Sequence, residues 1–422
     1  MRISLLFVIL FGTLMFWQST QGQNIAFPEV EIRKPLAMDI EYEIMRADTY
    51  LNEIRQAMSM QSLNLNSELK SAAQAHANYL IANDEVSHNE TQGRHYFTGT
   101  KLANRTAYAG FFSAQASENL STQHYDGKES VNGLLSAIYH RFGFLSPNID
   151  LLGVGATQSD TDSQKSAFVY VMGNDGLNDL CKQKSFASSG RYVYKVCAND
   201  KHRIQESIYN KIVAKSKKNN PKIILYPYDG EEEVPPAFYQ ESPDPLPQYE
   251  VSGFPISIEF NDYFFKEVHV LSFRLYTQEG KEIHNVLLMD KASDPHQRFT
   301  SHQYALFPLE RLDYQQKYKA QVLYETAGKE HSITWNFTTV QVMDIFHTVS
   351  TREAQLTLDT NKNHFIYFRP EDPHDIIQNI HFPTDIGIQF VDNHSIQLTF
   401  LPKDKKSFDI TSETRRLHIE LK

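Results

Sequence analysis

The sequence predicts an α+β fold for its first part and an all-β fold for the remainder. Apolar residues recur at helical intervals until about residue 139, and two short β-rich runs follow. Beyond about residue 220, a proline-dense segment and short alternating runs replace the helical pattern. Helices followed by an antiparallel strand pair are typical of α+β domains, and several short strands at regular spacing are typical of β-sandwiches.

Three helices are predicted in the first part. Apolar residues repeat with helical spacing over residues 39–58, and a second helix is expected after Asn66, whose side chain can cap free amide groups. A third helix is predicted over residues 129–139. The runs "LLGVGA" and "SAFVYVMG", separated by a polar turn, then predict a β-hairpin. These elements define a predicted domain over residues 39–180.

Two β modules are predicted after a connector. Residues 181–219 form the connector, which ends in a helical pattern, and residues 220–340 are predicted to form an immunoglobulin-like β-sandwich. Within it, the spacing of Leu312 and Tyr318 resembles a tyrosine corner, in which the tyrosine hydroxyl bonds to upstream backbone. The acidic run over residues 231–233 is interpreted as a solvated loop. Residues 345–422 are predicted to form a further small β module.

Composition narrows the class of protein. The chain has 422 residues, a length that predicts two to four domains. Hydrophobic residues make up 41% and charged residues 22%, which is typical of a water-soluble globular protein. The formal net charge of -10 argues against nucleic acid as a partner.

The N-terminus predicts export. A basic start at Arg2 precedes an apolar run from Ile3 to Trp17 and a small, polar exit near Gly22. This pattern is typical of a secretory signal peptide over residues 1–22, and the run is shorter than the ~20 residues that a spanning helix needs. An uncleaved membrane anchor is the alternative. We expect a secreted protein, extracellular or periplasmic, without stable membrane insertion after cleavage.

The chain has two cysteines, Cys181 and Cys197. In an exported protein, an isolated pair at this separation predicts a disulfide rather than a metal site or a catalytic thiol. Closing a loop of this length would stabilise the fold by roughly 3 kcal/mol on the chain-entropy model. The predicted disulfide closes a loop within the connector.

Five motifs between residues 45 and 175 resemble those of a known family. They are "LNEIRQ" at Leu51, "AAQAHANYLIANDEVSH" ending at His88, "ANRTAYAGF" with Arg105, "SENL" with Glu118, and "VNGLLSAIYHRFGFLSPNIDLLGVGA" with His140. In this order they resemble the CAP superfamily of cysteine-rich secretory, antigen 5 and pathogenesis-related proteins, in particular its bacterial SCP-like branch. The resemblance implies a three-layer α-β-α sandwich with a cleft of two histidines and two glutamates that can hold a divalent cation.

Three members of that cleft have counterparts here. His88 resembles the first histidine, Glu118 the first glutamate and His140 the second histidine, whereas Ser136 and Ala137 stand where the second glutamate is expected. Two imidazoles and a carboxylate match the ligand count of a catalytic Zn²⁺ site with an open position. We therefore predict that His88, Glu118 and His140 bind Zn²⁺ or another divalent cation. The alternative is a hydrogen-bonded polar cluster that keeps the cleft open.

Two functions follow, with a third alternative. The first is a secreted binding protein whose cleft holds a cation and an unidentified extracellular ligand or cell-surface component, with the β modules as spacers or contact units. The second is a metal-assisted hydrolase of a peptide, cell-wall or lipid substrate, with Glu118 as candidate metal ligand or general base. The third is a purely structural extracellular protein.

His76 lies on the apolar stripe of the second helix and is predicted to be a core histidine.

Overall fold

A computed structural model describes residues 37–163, 165–186, 189–239, 241–377 and 379–422. The predicted signal peptide over residues 1–22 lies outside the described residues. The described chain divides into two compact units, one of residues 37–343 with 370–376 and the other of residues 344–369 with 377–422. Within the described residues, none of the helices combines the length and the apolar character needed to cross a bilayer.

The first part of the larger unit is the predicted three-layer sandwich. Its helices are α1 (Ile40–Ala57), α2 (Ser67–Asn83), α3 (Leu102–Tyr108), α4 (Gly127–Ser136) and α5 (Ile138–Phe144). Its strands are β1 (Asn64–Leu65), β2 (Ser117–Thr122), β3 (Leu151–Gln158) and β4 (Ser166–Gly173), in the sheet order β1-β3-β4-β2. The predicted hairpin is the antiparallel pair of β3 and β4.

Both faces of this sheet are buried, as a three-layer arrangement requires. Along β4, Phe168, Tyr170 and Met172 join the core that α1 and α4 cover, while Val169 and Val171 on the opposite face pack with α2. This alternation is the period of a β-strand.

Two glycines in β3 allow α2 to approach the sheet closely. A Cβ atom on Gly153 would lie 2.1 Å from the backbone of Leu69, and one on Gly155 would lie 2.3 Å from Gln74 N. Any larger side chain would separate the helix from the sheet. Asn66 caps α2 as predicted, since its Oδ1 accepts a hydrogen bond of 2.8 Å from Leu69 N.

The third predicted helix is broken in two, which corrects the expectation of one helix over residues 129–139. The backbone turns extended at Ala137, between α4 and α5. Two side chains form hydrogen bonds to backbone carbonyl groups at the end of α4. Ser136 Oγ donates to Gly133 O at 2.6 Å, and Arg141 Nε donates to Leu135 O at 2.6 Å. The break redirects α5, which carries His140.

The connector contains the predicted disulfide between Cys181 and Cys197. Helix α6 (Asp175–Lys182) leads into the connector, whose own elements are β5 (Tyr192–Val193), β6 (Ile204–Gln205) and α7 (Glu206–Lys218). Both cysteines lie in a small apolar core with Leu177, Leu180 and Ile204. The disulfide therefore joins α6 to the connector within a buried cluster.

The predicted β-sandwich follows as two four-stranded sheets. Its strands are β7 (Ile223–Tyr226), β8 (Glu231–Val234), β9 (Ala237–Phe238), β10 (Ser252–Gly253), β11 (Ile256–Phe260), β12 (His269–Thr277), β13 (Val286–Met289), β14 (Gln303–Pro308), β15 (Lys317–Thr326) and β16 (Lys329–Thr339). The sheet orders are β13-β14-β11-β7 and β12-β15-β16-β8, and β9 and β10 form a separate pair. Its immunoglobulin-like character stays a prediction.

Two local expectations for this sandwich have opposite outcomes. The Tyr318 hydroxyl accepts a hydrogen bond of 3.0 Å from Asp313 N, the upstream backbone contact expected of a tyrosine corner. The acidic run, by contrast, is not a solvated loop. It forms β8, and Glu231 is buried there with its carboxyl group bonded to the Tyr226 hydroxyl and to Tyr228 N.

Arg141 on α5 joins the α-β-α part to the β-sandwich. Its side chain is fully buried, and its NH1 group donates to Pro255 O at 2.6 Å and to Ser257 Oγ at 3.1 Å. The guanidinium also lies over the rings of Tyr226 and Phe254, at 4.9 and 4.8 Å from their centroids. The two parts of this unit therefore share a packed junction.

The smaller unit is the predicted C-terminal β module. Its strands are β17 (Ile345–Val349), β18 (Glu353–Leu358), β19 (His364–Phe368), β20 (Gly387–Asp392), β21 (Ser395–Phe400), β22 (Ser407–Thr411) and β23 (Arg416–Leu421). They form one sheet in the order β17-β19-β21-β20 and a second in the order β18-β23-β22. An apolar core of its own, including Ile366, Leu398 and Ile419, holds this unit together.

Candidate functional site

Glu118 lies between a histidine and an arginine at the start of β2. His88 Nδ1 is 3.0 Å from Glu118 Oε1, and Arg105 NH2 donates to Glu118 Oε2 at 2.6 Å. Arg105 also donates to the His88 carbonyl at 2.9 Å, which fixes the loop that carries this histidine. Glu118 and Arg105 are buried, whereas 48% of the His88 side chain is exposed. Both carboxylate oxygens of Glu118 are therefore engaged, and His88 faces solvent.

A second buried carboxylate, that of Glu90, lies beside this group. His76 is fully buried, with Nδ1 3.0 Å from Glu90 Oε1 and Nε2 2.9 Å from Ser87 O, which confirms that it is a core histidine. Glu90 also accepts hydrogen bonds from Thr98 N at 2.6 Å and Gly99 N at 3.1 Å. These contacts hold the loop between α2 and α3 on which His88 lies.

His140 pairs with a carboxylate from outside the α-β-α part. Its Nδ1 lies 3.0 Å from Oε1 of Glu241, and the same oxygen accepts a hydrogen bond of 3.1 Å from Tyr139 N. The Glu241 side chain is 1% exposed and that of His140 is 14% exposed. Asn119 Nδ2 donates to the His140 carbonyl at 2.8 Å and so ties α5 to β2.

The structure brings His88 and His140 together. The rings of His88 and His140 are stacked, with centroids 6.3 Å apart and an angle of 26° between their planes. Because a carboxylate accepts hydrogen bonds, the neutral form of each imidazole would carry its proton on Nδ1 and keep a lone pair on Nε2. Neither Nε2 has a hydrogen-bond partner among the residues with a described position.

The cluster holds more negative than fixed positive charge. The side chains of Glu90, Glu118 and Glu241 are at most 2% exposed, and Arg105 is the permanent cation that contacts two of them. Burial raises the pKa of Glu118, but the hydrogen bond from His88 and the Arg105 charge outweigh it and place that pKa below its usual value. For Glu90, the His76 and backbone hydrogen bonds likewise outweigh burial and lower the pKa. Protonated imidazoles or a bound cation would balance this charge.

The donor set falls short of a resident metal site. No three His, Cys, Asp or Glu side chains within the described ranges converge closely enough to hold a metal ion. Glu118 is hydrogen-bonded to Arg105 and His88, and Glu241 to His140 and to backbone. The two imidazole Nε2 atoms are therefore the atoms left to ligate a metal ion. A structural or catalytic zinc site uses at least three protein ligands. Metal binding by His88, Glu118 and His140 therefore stays a prediction.

Sequence reasoning missed Glu241 and Glu90. Glu241 lies in the proline-dense segment, 101 residues from His140, and no local pattern connects the two. The sequence did contain one indication of Glu241. Ser136 and Ala137 are not acidic, so α4 supplies no carboxylate to His140 and a partner would have to come from elsewhere in the chain. Glu90 lies in a polar loop, where a buried carboxylate has no periodic signature.

The first part of the chain is thus an α-β-α sandwich in which His88 and His140 lie side by side. The sequence model of the cysteine-rich secretory protein family, CAP, matches residues 49–174. This segment is therefore a CAP domain, as its motifs indicated. A search of curated proteins found no match.

Among solved structures, the chain is similar to an extracellular protein with an SCP domain from Bacillus anthracis, at 23% identity over 33% of this chain and 44% of that one, with a TM-score of 0.28. It is similar to an outer surface protein from Borrelia burgdorferi at 19% identity, over 32% of this chain and 92% of that one, with a TM-score of 0.28. A cysteine-rich secretory protein from Staphylococcus aureus aligns at 15% identity, over 33% and 40%, with a TM-score of 0.25.

Proposed function

We propose that this is an extracellular binding protein whose CAP cleft binds a ligand through His88 and His140. One observation carries the proposal: a buried carboxylate holds Nδ1 of each imidazole, so both Nε2 lone pairs are available to the same ligand. Histidines that bind metals commonly donate their other ring N–H to a carboxylate in this way. The resemblance to secreted CAP proteins and the predicted signal peptide support an extracellular location.

A divalent cation such as Zn²⁺ is part of this proposal as a shared component of the complex. Two imidazole nitrogens are too few to hold the ion as a structural zinc site does, so atoms of the ligand or water would fill its remaining positions. The surplus of buried carboxylates around the cleft favours such a cation. Cation binding and ligand binding are therefore expected to depend on each other.

The hydrolase alternative has less support from the geometry. A general base works best with a pKa near the working pH, whereas the pKa of Glu118 lies below its usual value. The ion pair with Arg105 at 2.6 Å also stabilises the ionised carboxylate, which makes Glu118 a weaker base. We assign no turnover to this site.

Calorimetric titration of the full chain with Zn²⁺ tests the proposal. Wild type is expected to bind one ion, and His88→Ala and His140→Ala are each expected to lose at least tenfold in affinity. His95→Ala is the matched control, because His95 contacts Tyr96 and no member of the cluster. If all four proteins titrate alike and remain folded, the two histidines do not form a cation site and the proposal fails.

A further inference from the structure

A cavity of about 420 Å³ lies on the other side of α5, between the CAP domain and the β-sandwich. Tyr139 and Phe142 of α5 line it from the CAP side, and Glu259, Phe299 and Gln303 line it from the sandwich. Neither His88 nor His140 belongs to its lining. Its volume lies within the range of sites that take small molecules.

The notable group in this cavity is the carboxyl of Glu259 on β11. Its Oε2 atom is enclosed and has no hydrogen-bond partner in the described part of the chain, and Glu259 is one of the residues that line the cavity. Gln303 lies opposite Glu259 on β14; its side chain forms a hydrogen bond with the Glu259 carboxyl, and its Oε1 accepts from Thr300 N at 3.0 Å. Burial raises the pKa of Glu259 to about 8. A carboxylate in this position needs a donor or a cation.

The charged and titratable groups nearby have other partners. Lys217 Nζ is 2.6 Å from Asp262 Oδ2, and the Arg298 guanidinium lies over the Tyr139 ring at 5.5 Å from its centroid. His302 Nε2 is 2.9 Å from the Phe265 carbonyl and its Nδ1 is 3.2 Å from Ser301 Oγ. Among the residues described, no cationic side chain forms an ion pair with Glu259.

The aromatic walls complement a cation with an apolar tail. Phe299 packs in a T-shaped arrangement with both Tyr139 and Phe142, with ring centroids 5.9 and 5.1 Å apart. Aromatic rings attract ammonium groups through their negative faces and also bury alkyl carbons. A carboxyl group without a counter-ion beside such walls is the arrangement that an alkylammonium ion fits.

We propose that this cavity is a second binding site, which takes an organic ammonium group with the Glu259 carboxylate as its counter-ion and the aromatic walls around its carbon chain. The site is separate from the histidine cleft, so the proposal stands apart from the proposed function of that cleft.

Calorimetric titration of the full chain with n-butylammonium, compared with 1-butanol, tests this site. The alcohol has the same carbon chain without the charge, so only the ammonium ion should bind. A pKa of about 8 means that the ionised fraction of Glu259 rises about thirtyfold between about pH 6.5 and about pH 9, and the affinity should rise in proportion. Glu259→Gln should abolish both the binding and its pH dependence.

Two results would overturn the inference. One is equal binding of n-butylammonium and 1-butanol, or binding of neither at pH 9. The other is unchanged ammonium affinity in a folded Glu259→Gln variant. The comparison of the two probes on wild type needs no variant, so it decides the matter even if Glu259→Gln does not fold. Ammonium binding should persist in His140→Ala, which separates this site from the cleft.

Discussion

Each cleft histidine presents the same nitrogen outwards because a buried carboxylate holds the other one. Glu118 does this for His88 and Glu241 does it for His140, both at 3.0 Å. The two carboxylates come from different parts of the chain, one from β2 of the CAP domain and one from the segment before β10. The hydrogen bonding of the His140 ring therefore depends on a residue outside the CAP domain.

Replacing Glu241 with alanine is expected to change the tautomer of His140. Without the carboxylate, the neutral imidazole should revert to the Nε2–H form, which is the more stable form in water, and the lone pair that faces the cleft would be lost. Nitrogen chemical shifts of the His140 ring, measured in alkaline solution, distinguish the two forms.

The matched control for this change is Glu250→Ala, in the same segment but partly exposed and 3.8 Å from His374. It should leave the His140 shifts unchanged. A His140 ring that keeps Nδ1–H in Glu241→Ala would show that Glu241 does not set the tautomer, whatever happens to ligand binding.

The sequence sufficed for part of this site. The order of the motifs located His88, Glu118 and His140, and the apolar stripe of α2 indicated that His76 belongs to the core. The contact of Glu241 with His140 could not be predicted from the sequence, because local periodicity does not report contacts between residues 101 positions apart.

Helix α5 contacts three different parts of the larger unit. Successive residues of a helix point about 100° apart, so Tyr139, His140 and Arg141 face the interdomain cavity, His88 and the sandwich in turn. The break at Ala137 makes this possible, because a continuous helix from α4 would carry the three side chains in other directions.

Arg141→Ala is expected to destabilise the larger unit by about 3 kcal/mol or more. The change would leave a cavity at the junction and would remove the donor from the Leu135 and Pro255 carbonyls, each bonded at 2.6 Å. Urea unfolding of the full chain measures the difference.

Arg46→Ala is the control for that measurement, since Arg46 lies at the surface, 3.5 Å from Asp126, and such pairs contribute less than about 1 kcal/mol. Equal losses in the two variants would mean that Arg141 adds nothing beyond a surface charge.

Most elements were predictable from periodicity, and their ends less so. The helix expected over residues 39–58 is α1 (Ile40–Ala57), and the run "FPISIEF" contains β11. The break at Ala137 was missed because it depends on the Arg141 side chain, which folds back onto the Leu135 carbonyl. Parallel pairs such as β8 with β16 were missed because pairing partners do not appear in local patterns.

At the scale of the whole molecule, buried acids set the pH range of stability. Burial raises the pKa of Glu231 to about 7 and that of Glu259 to about 8, whereas each would be near 4.5 in the unfolded chain. Between these values the folded state holds protons that the unfolded state has lost, so stability falls as pH rises through this window. Glu118 and Glu90 have lowered pKa values and act oppositely, with stability lost as pH falls below about 4.5.

The melting temperature of the full chain should therefore be higher near pH 5.5 than near pH 8.5. In the double variant Glu231→Gln with Glu259→Gln, the decline over this window should be shallower, because neither amide titrates. Calorimetry at several pH values checks this.

Glu232→Gln, at the exposed position beside Glu231, should keep the wild-type slope. A double variant with an undiminished slope would mean that other groups control the alkaline side.

The Arg141 junction and the Glu241 contact also have an evolutionary consequence. Recombination within the connector would part His140 from its carboxylate and Arg141 from the Pro255 carbonyl. A CAP domain transplanted to another chain would lose the Pro255 acceptor of Arg141 and the Tyr226 and Phe254 rings that cover its guanidinium. The CAP domain and the sandwich are therefore expected to be inherited together as one unit. A substitution in one of them limits the substitutions that the other tolerates.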